Sequence, residues 1–115
     1  MDENCIFCKI IKGEIPSQKA FEDEHLFAFY DINPQAPTHI LIIPKKHIPT
    51  ILDIKPADYQ LIGEMFTTAN YLAKEAGIDA NGFRTVFNCN KDAGQAVYHI
   101  HLHLLGGRKM GWPPG

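Results

Sequence analysis

Several absences bound this chain before any motif is considered. No apolar run approaches the roughly 20 residues that a bilayer-spanning helix needs, so no membrane partner is expected. There is no charge excess: 11 Lys and Arg stand against 13 Asp and Glu, for a formal net charge of -2. That balance gives a long nucleic acid nothing to hold, although a mononucleotide gripped by a few local contacts is compatible with it. The start, Met1-Asp2-Glu3-Asn4, is acidic and lacks the apolar core of a secretory signal, which points to a cytoplasmic location. Cysteine is scarce, with only Cys5, Cys8 and Cys89. In the cytoplasm these thiols are reduced, so Cys5 and Cys8 read as metal ligands or a redox pair rather than a structural disulfide. Internal repeats, linkers and low-complexity segments are missing too, and 115 residues make a single domain over 1–115.

What is present is an ordinary globular composition, 45% apolar and 21% charged. The pattern predicts a short N-terminal helix over residues 5–12, closed by Gly13 and Pro16. Strands are expected at 18–22, 25–31, 38–44 and 83–88. The segment 38–44 is β-branched and apolar, as a buried central strand is, with His39 as its odd polar member. The main helix is placed at 56–76, where Tyr59, Ile62, Phe66, Ala69, Leu72 and Ala76 recur at helical spacing and Gly77 stops it. Leu61 and Met65 widen this stripe, either as a broad core face or as a second packing surface such as a dimer contact. Lys91-Asp92-Ala93-Gly94 reads as a turn before a last strand at 99–105, which Gly106-Gly107 ends. Strands joined by short turns and interrupted by one helix make an α+β domain with a mostly antiparallel sheet.

The last strand carries the chemistry. His99, His101 and His103 alternate with Ile100, Leu102 and Leu104. In extended chain this puts three imidazoles on one face and the apolar residues on the other, where their burial fixes the register. At about 3.3 Å per residue the outer two stand about 13 Å apart, too far for one metal ion to take both. At least one imidazole therefore serves another purpose, as nucleophile or proton carrier. Cys5 and Cys8, in or beside a helical turn, can converge on one ion. Two histidines should complete the set, His47 and one end of the triad being the candidates; two inert core thiols are the plainer alternative. His39 either crosses the sheet to meet the triad or is satisfied by a backbone carbonyl. His25 follows acidic residues in a turn and reads as solvated.

Three segments resemble one family closely: Pro37-Thr38-His39-Ile40-Leu41-Ile42-Ile43-Pro44-Lys45-Lys46-His47, Gly94-Gln95-Ala96-Val97-Tyr98-His99-Ile100-His101-Leu102-His103-Leu104-Leu105-Gly106-Gly107 and Trp112-Pro113-Pro114-Gly115. With Cys5-Ile6-Phe7-Cys8-Lys9-Ile10-Ile11 and Asp31-Ile32-Asn33-Pro34-Gln35-Ala36-Pro37, they resemble the histidine triad nucleotide-binding proteins, the Hint branch of the HIT superfamily. The likeness runs nearly end to end and is weakest in the long helix. It implies a HIT-like α+β fold with a mostly antiparallel five-stranded sheet, one long helix and one short N-terminal helix. It also implies a homodimer whose sheets join across the interface. The implied activity is hydrolysis of purine nucleoside phosphoramidates to the nucleoside monophosphate through a nucleotidyl-histidine intermediate.

By match of position, the resemblance makes His101 the nucleophile, flanked by His103 and His39. Asp31 would hold the ribose hydroxyls. Ile6, Phe7, Ile10, Phe29 and Ile32 would wall the base, and Tyr30 would pack on the nucleoside. Asn88 and the backbone of Gln95, Ala96 and Val97 would contact the phosphate. The zinc-containing subset of the family implies a structural Zn2+ held by Cys5, Cys8, His47 and His99. One position departs from the pattern: the residue after Gln95 is often a serine close to the leaving-group nitrogen, and here it is Ala96, without a hydroxyl. Dinucleoside polyphosphate hydrolases and nucleotidyltransferases share the superfamily, the latter tending to replace the third triad histidine, here His103. A non-catalytic nucleotide-binding regulatory module is the remaining alternative. For the chemistry itself, a neutral imidazole nucleophile needs an acceptor at its other nitrogen, with a backbone carbonyl the expected partner. An amine leaving group calls for a flanking histidine protonated part of the time.

Overall fold

Alternating apolar residues build a sheet with two unlike faces. The computed structural model describes residues 2–115. Along the chain it has α1 (Ile6–Ile11), β1 (Lys19–Glu22), β2 (Leu26–Tyr30), β3 (Thr38–Pro44), α2 (Tyr59–Glu75), β4 (Phe83–Val86), α3 (Asn90–Ala93) and β5 (Leu102–Gly106). Two 3₁₀ turns, Ile51–Asp53 and Pro56–Asp58, precede α2. The five strands form one sheet in the order β1-β2-β3-β5-β4, with every neighbouring pair antiparallel. This is the α+β architecture expected, with the most apolar strand, β3, at its centre. No helix among the described residues is long and apolar enough to cross a membrane.

Parity along the strands decides which face each residue serves. Ile40 pairs with Leu104 and Ile42 with Leu102. With Leu26, Ala28 and Ile100 they pack against Met65, Ala69, Leu72 and Ala73 of α2 in the main core. The other parity, Phe27, Phe29, Leu41 and Ile43, packs against Phe7, Cys8 and Ile10 of α1. His103 stands opposite Leu41 in the ladder, so the triad opens on the α1 side.

Several boundaries differ from the sequence pattern. α2 starts at Tyr59 because Pro56-Ala57-Asp58 closes a 3₁₀ turn, in which the buried Asp58 carboxylate accepts the Lys55 N–H at 3.0 Å and pairs with Lys46 at 2.6 Å. Its buried stripe is also rotated from the expected one. Met65 is fully buried while Tyr59, Phe66 and Ala76 are exposed. β4 ends at Val86, and residues 90–93 make a single helical turn closed by Gly94 at φ 82. The ladder of β5 begins only at Leu102. Upstream, the Ile100 N–H donates to the Ile48 carbonyl at 2.8 Å instead of to a neighbouring strand. The alternation survives, since Ile100, Leu102 and Leu104 all lie in the α2-side core.

Candidate active site and metal cluster

The Cys5 thiol caps α1 by accepting the Cys8 N–H at 3.3 Å, which turns both sulfurs inward. They meet His47, just after β3, and His99, ahead of β5, with all four ligand atoms within 4.8 Å of one another. Cys5 Sγ lies 3.4 Å from His99 Nδ1, and Cys8 Sγ 3.6 Å from it and 3.4 Å from His47 Nδ1. The two Nδ1 atoms are 3.2 Å apart. His99 is fully buried, and its Nε2–H donates to the Pro44 carbonyl at 2.7 Å. That bond fixes the tautomer and leaves Nδ1 as a lone pair aimed at the sulfurs. Burial, with repulsion from His47 and His101, pushes His99 down to about 4, so it is neutral at pH 7. Burial likewise pushes the Cys8 thiol up. The four residues could hold one metal ion, and the triad end that joins the thiols is His99.

The other two triad members are set in opposite senses. His101 Nδ1 lies 2.8 Å from the His99 carbonyl, so it carries the proton and Nε2 keeps its lone pair. Burial lowers the His101 pKa against the opposing pull of that carbonyl and of Asp31. The Phe7 ring packs edge-on against the imidazole, with centroids 5.0 Å apart. His103 is governed through His39. The Gln35 N–H donates to His39 Nδ1 at 3.0 Å, so neutral His39 has its proton on Nε2. That Nε2 is 2.9 Å from His103 Nδ1, which must accept, and His103 therefore carries its own proton on Nε2. His101 thus offers a lone pair and His103 an N–H, with ring centroids 5.0 Å apart.

Burial, with repulsion from His101 and His39, pushes His103 down to about 4. Burial also lowers His39, opposed by Asp31. Desolvation therefore disfavours the cation at both flanking histidines in the free protein, against the part-time protonation expected of one of them. Asp31 Oδ2 lies 3.5 Å from His39 Nε2, and Oδ1 accepts the Asn33 N–H at 2.8 Å. Asp31, His39 and His103 also converge closely enough for a cation. The tautomer argues against one: a metal at His39 Nε2 would drive the proton to Nδ1, facing the Gln35 N–H.

A cleft of about 350 Å3 lies over this face. Ile6, Phe7, Ile10, Phe29, Tyr30, Asp31, Ile32, Asn88, Ala96, Val97, His101 and His103 all line it. Gln95 does not. It is buried, its side-chain N–H groups donating to the Pro49 and Val97 carbonyls at 2.8 and 3.1 Å while its Oε1 accepts the Asn90 N–H at 2.8 Å. It braces the loop that carries Ala96 and Val97. His39 stands behind His103, also outside the lining. The cleft adds Leu41, Gly94 and the loop residues Ile15, Pro16 and Ser17. Leu41 was accessible from its parity in β3; the loop has no periodic pattern to reveal it. A wider depression of about 510 Å3 opens beside Lys45, Lys46 and Glu64. It holds none of the triad, and both lysines are paired, with Glu22 and Asp58.

A profile of the HIT domain matches residues 12–110. Over 111 residues the chain is 51% identical to the purine nucleoside phosphoramidase of Escherichia coli (strain K12), covering 96% of this chain and 93% of that protein. It is 47% identical over 115 residues to an uncharacterized HIT-like protein of Synechocystis, covering 100% of both. A HIT family hydrolase from Legionella pneumophila Philadelphia 1 superposes with a TM-score of 0.96 at 58% identity, over 97% of this chain and 100% of that one. A histidine triad nucleotide-binding protein from Candida albicans superposes at 0.82 and 39% identity, over 96% and 83%.

Proposed function

The chain belongs to the HIT domain family, and on that premise we propose that it hydrolyses purine nucleoside phosphoramidates to the nucleoside monophosphate. One observation carries this reading. A lone pair on His101 and an N–H on His103 stand side by side in a cleft that also holds Asp31 and apolar walls. The base lies between Ile6, Phe7, Ile10, Phe29 and Ile32, Tyr30 packs on the nucleoside, and Asp31 accepts from the ribose hydroxyls.

His101 Nε2 attacks the phosphorus as the P–N bond on the far side breaks. Electrons of that bond leave with the nitrogen, which takes a proton from water, since Ala96 has no hydroxyl to offer. Throughout, the His99 carbonyl holds His101 Nδ1–H and steadies the positive charge on the nucleotidyl-imidazolium. Non-bridging oxygens are met by His103 Nε2–H, Asn88 and the backbone of Ala96 and Val97. His103 thus acts as a hydrogen-bond donor rather than as an acid. A second water attacks the phosphorus and gives its proton to the hydroxide left by the first, His101 Nε2 departs with its electron pair, and neutral imidazole is restored. Incubation with adenosine 5′-phosphoramidate should release AMP with saturation kinetics; no AMP above the uncatalysed rate would refute the reading.

We assign Cys5, Cys8, His47 and His99 to a structural Zn2+. A tetrahedral ion with bonds of about 2.3 Å to sulfur and 2.0–2.1 Å to nitrogen has N···N edges of about 3.3 Å and S···N edges of about 3.6 Å. The separations here are 3.2 Å for the nitrogens and 3.4 to 3.6 Å from sulfur to nitrogen. When bound, the ion supplies a cross-link between α1 and the triad segment, and a full ligand set leaves no open position for substrate. The reducing cytoplasm suits this assignment, all three cysteines being unbridged. We assign the chain to a homodimer joined through β4, an edge of the sheet. Phe66, exposed on α2, stacks edge-on against Phe87 just beyond β4, with centroids 6.0 Å apart, and leaves aromatic surface next to that edge.

A further inference from the structure

Arg108 lies two residues past the end of β5 (Leu102–Gly106), the strand that delivers His103. Its guanidinium donates twice to the Gln35 carbonyl, from Nε at 3.1 Å and from Nη2 at 3.0 Å. Nη1 donates to the Lys109 carbonyl at 3.1 Å. The turn that carries Arg108 is seated on the same loop: Gly107 has φ +91, and a Cβ placed there would come within 2.9 Å of Pro37 Cβ. Gln35 is itself exposed, and its side-chain amide donates to the Asn33 carbonyl at 3.0 Å. Its backbone N–H is the group that reaches the chemistry, through His39 Nδ1.

The His39–His103 hydrogen bond can point either way at the same 2.9 Å separation. With the Gln35 N–H on His39 Nδ1, the bond runs from His39 to His103, and His103 presents an N–H to the cleft. Without it, His39 can hold its proton on Nδ1 and accept at Nε2. His103 then turns its Nδ1–H toward His39 and presents a lone pair, which repels a phosphate oxygen. Asp31 Oδ2, 3.5 Å from His39 Nε2, also favours a proton there. The surface-loop amide completes the selection by engaging the Nδ1 lone pair, and the planar fork of Arg108 on a single carbonyl anchors that loop. We propose that Arg108 is a positioning residue that sets the tautomer of His103 through Gln35 and His39. The role of this N–H in turnover rests on the phosphoramidase reading above; the tautomer itself does not.

The test uses the full chain labelled with 15N-histidine. Arg108→Met keeps the aliphatic stem and removes every side-chain donor, and Arg108→Lys restores donors on a single ammonium without the planar fork. For adenosine 5′-phosphoramidate, kcat in R108M should fall about tenfold, the rate equivalent of one lost hydrogen bond. KM should change less than twofold, and R108K should recover part of the loss. Imidazole 15N shifts should report His103 as a single Nε2–H tautomer in the parent chain and as a mixture in R108M, with little change in Tm. A single unchanged His103 tautomer in R108M would overturn the proposal, whether or not kcat moved. Unchanged kcat with a mixed tautomer would overturn its catalytic half. A parent chain that releases no AMP would refute the function instead, and the 15N spectra would still decide the relay.

Discussion

His101 and His103 are the same side chain two residues apart, yet their protons sit at opposite nitrogens. The difference comes from the group at the second nitrogen: a carbonyl two residues back for His101, and an imidazole held by a loop amide for His103. His101→Ala should lower turnover roughly 10³-fold or more, while the variant melts like the parent and still binds AMP in a calorimeter. Near-parental turnover would remove His101 from the nucleophile's role. A pH prediction follows from His103. Its folded pKa of about 4 lies below the roughly 6.5 of a free imidazole. The unfolded chain therefore takes up the proton first as pH falls. This contribution to stability is whole above about 6.5 and is lost on descent toward 4. Between pH 7 and 5 the parent should lose more Tm than His103→Gln; equal slopes would contradict the burial argument. Alternation alone displayed the three imidazoles, and distance along the chain showed that they could not act alike. The role of the Gln35 amide was not legible, because it depends on a loop contact that no periodicity encodes.

At the scale of elements, α1 is too short to be stable by itself and is held by what it covers. It buries Phe7, Cys8 and Ile10 against the sheet and supplies the Cys8 thiol, with Cys5 as its N-cap. Cys5→Ser should abolish stoichiometric zinc in metal analysis and lower Tm by roughly 10 °C, taking about 4–8 °C per kcal/mol for a domain of this size. kcat at low temperature should change only a few-fold. Full zinc content with unchanged Tm would contradict the assignment. The helix boundaries at 5–12 were legible from Gly13 and the apolar spacing, and β3 from its β-branched run. The phase of α2 was not. Tyr59 and Phe66 satisfy helical periodicity as well as Met65 does, and only packing against Ile40 and Ile42 shows that Met65 is the core residue. Met65→Ala should cost about 2–5 kcal/mol in denaturant titration, whereas Tyr59→Ala should cost far less.

The whole molecule divides its labour between the faces of one sheet. The α2 face is a sealed apolar core, and the α1 face carries the cleft, the triad and the four-residue Cys/His cluster. Strand parity made that division readable in advance. The meeting of His39, His103 and the 31–35 loop needed the β3–β5 register. One edge of the sheet ends at β4, where Phe66 is exposed. Phe66→Glu should shift the chain from dimer toward monomer in sedimentation velocity, and a parent chain that sediments as a monomer would refute the dimer assignment. The proposed chemistry turns on His101 Nε2 as the nucleophile. Its most direct test is mass spectrometry of the protein acid-quenched during turnover of adenosine 5′-phosphoramidate. An adenylyl group is expected on the peptide that carries His101, at His101 itself, and none in His101→Ala. An adduct on His39 or His103, or turnover with no adduct at all, would contradict it.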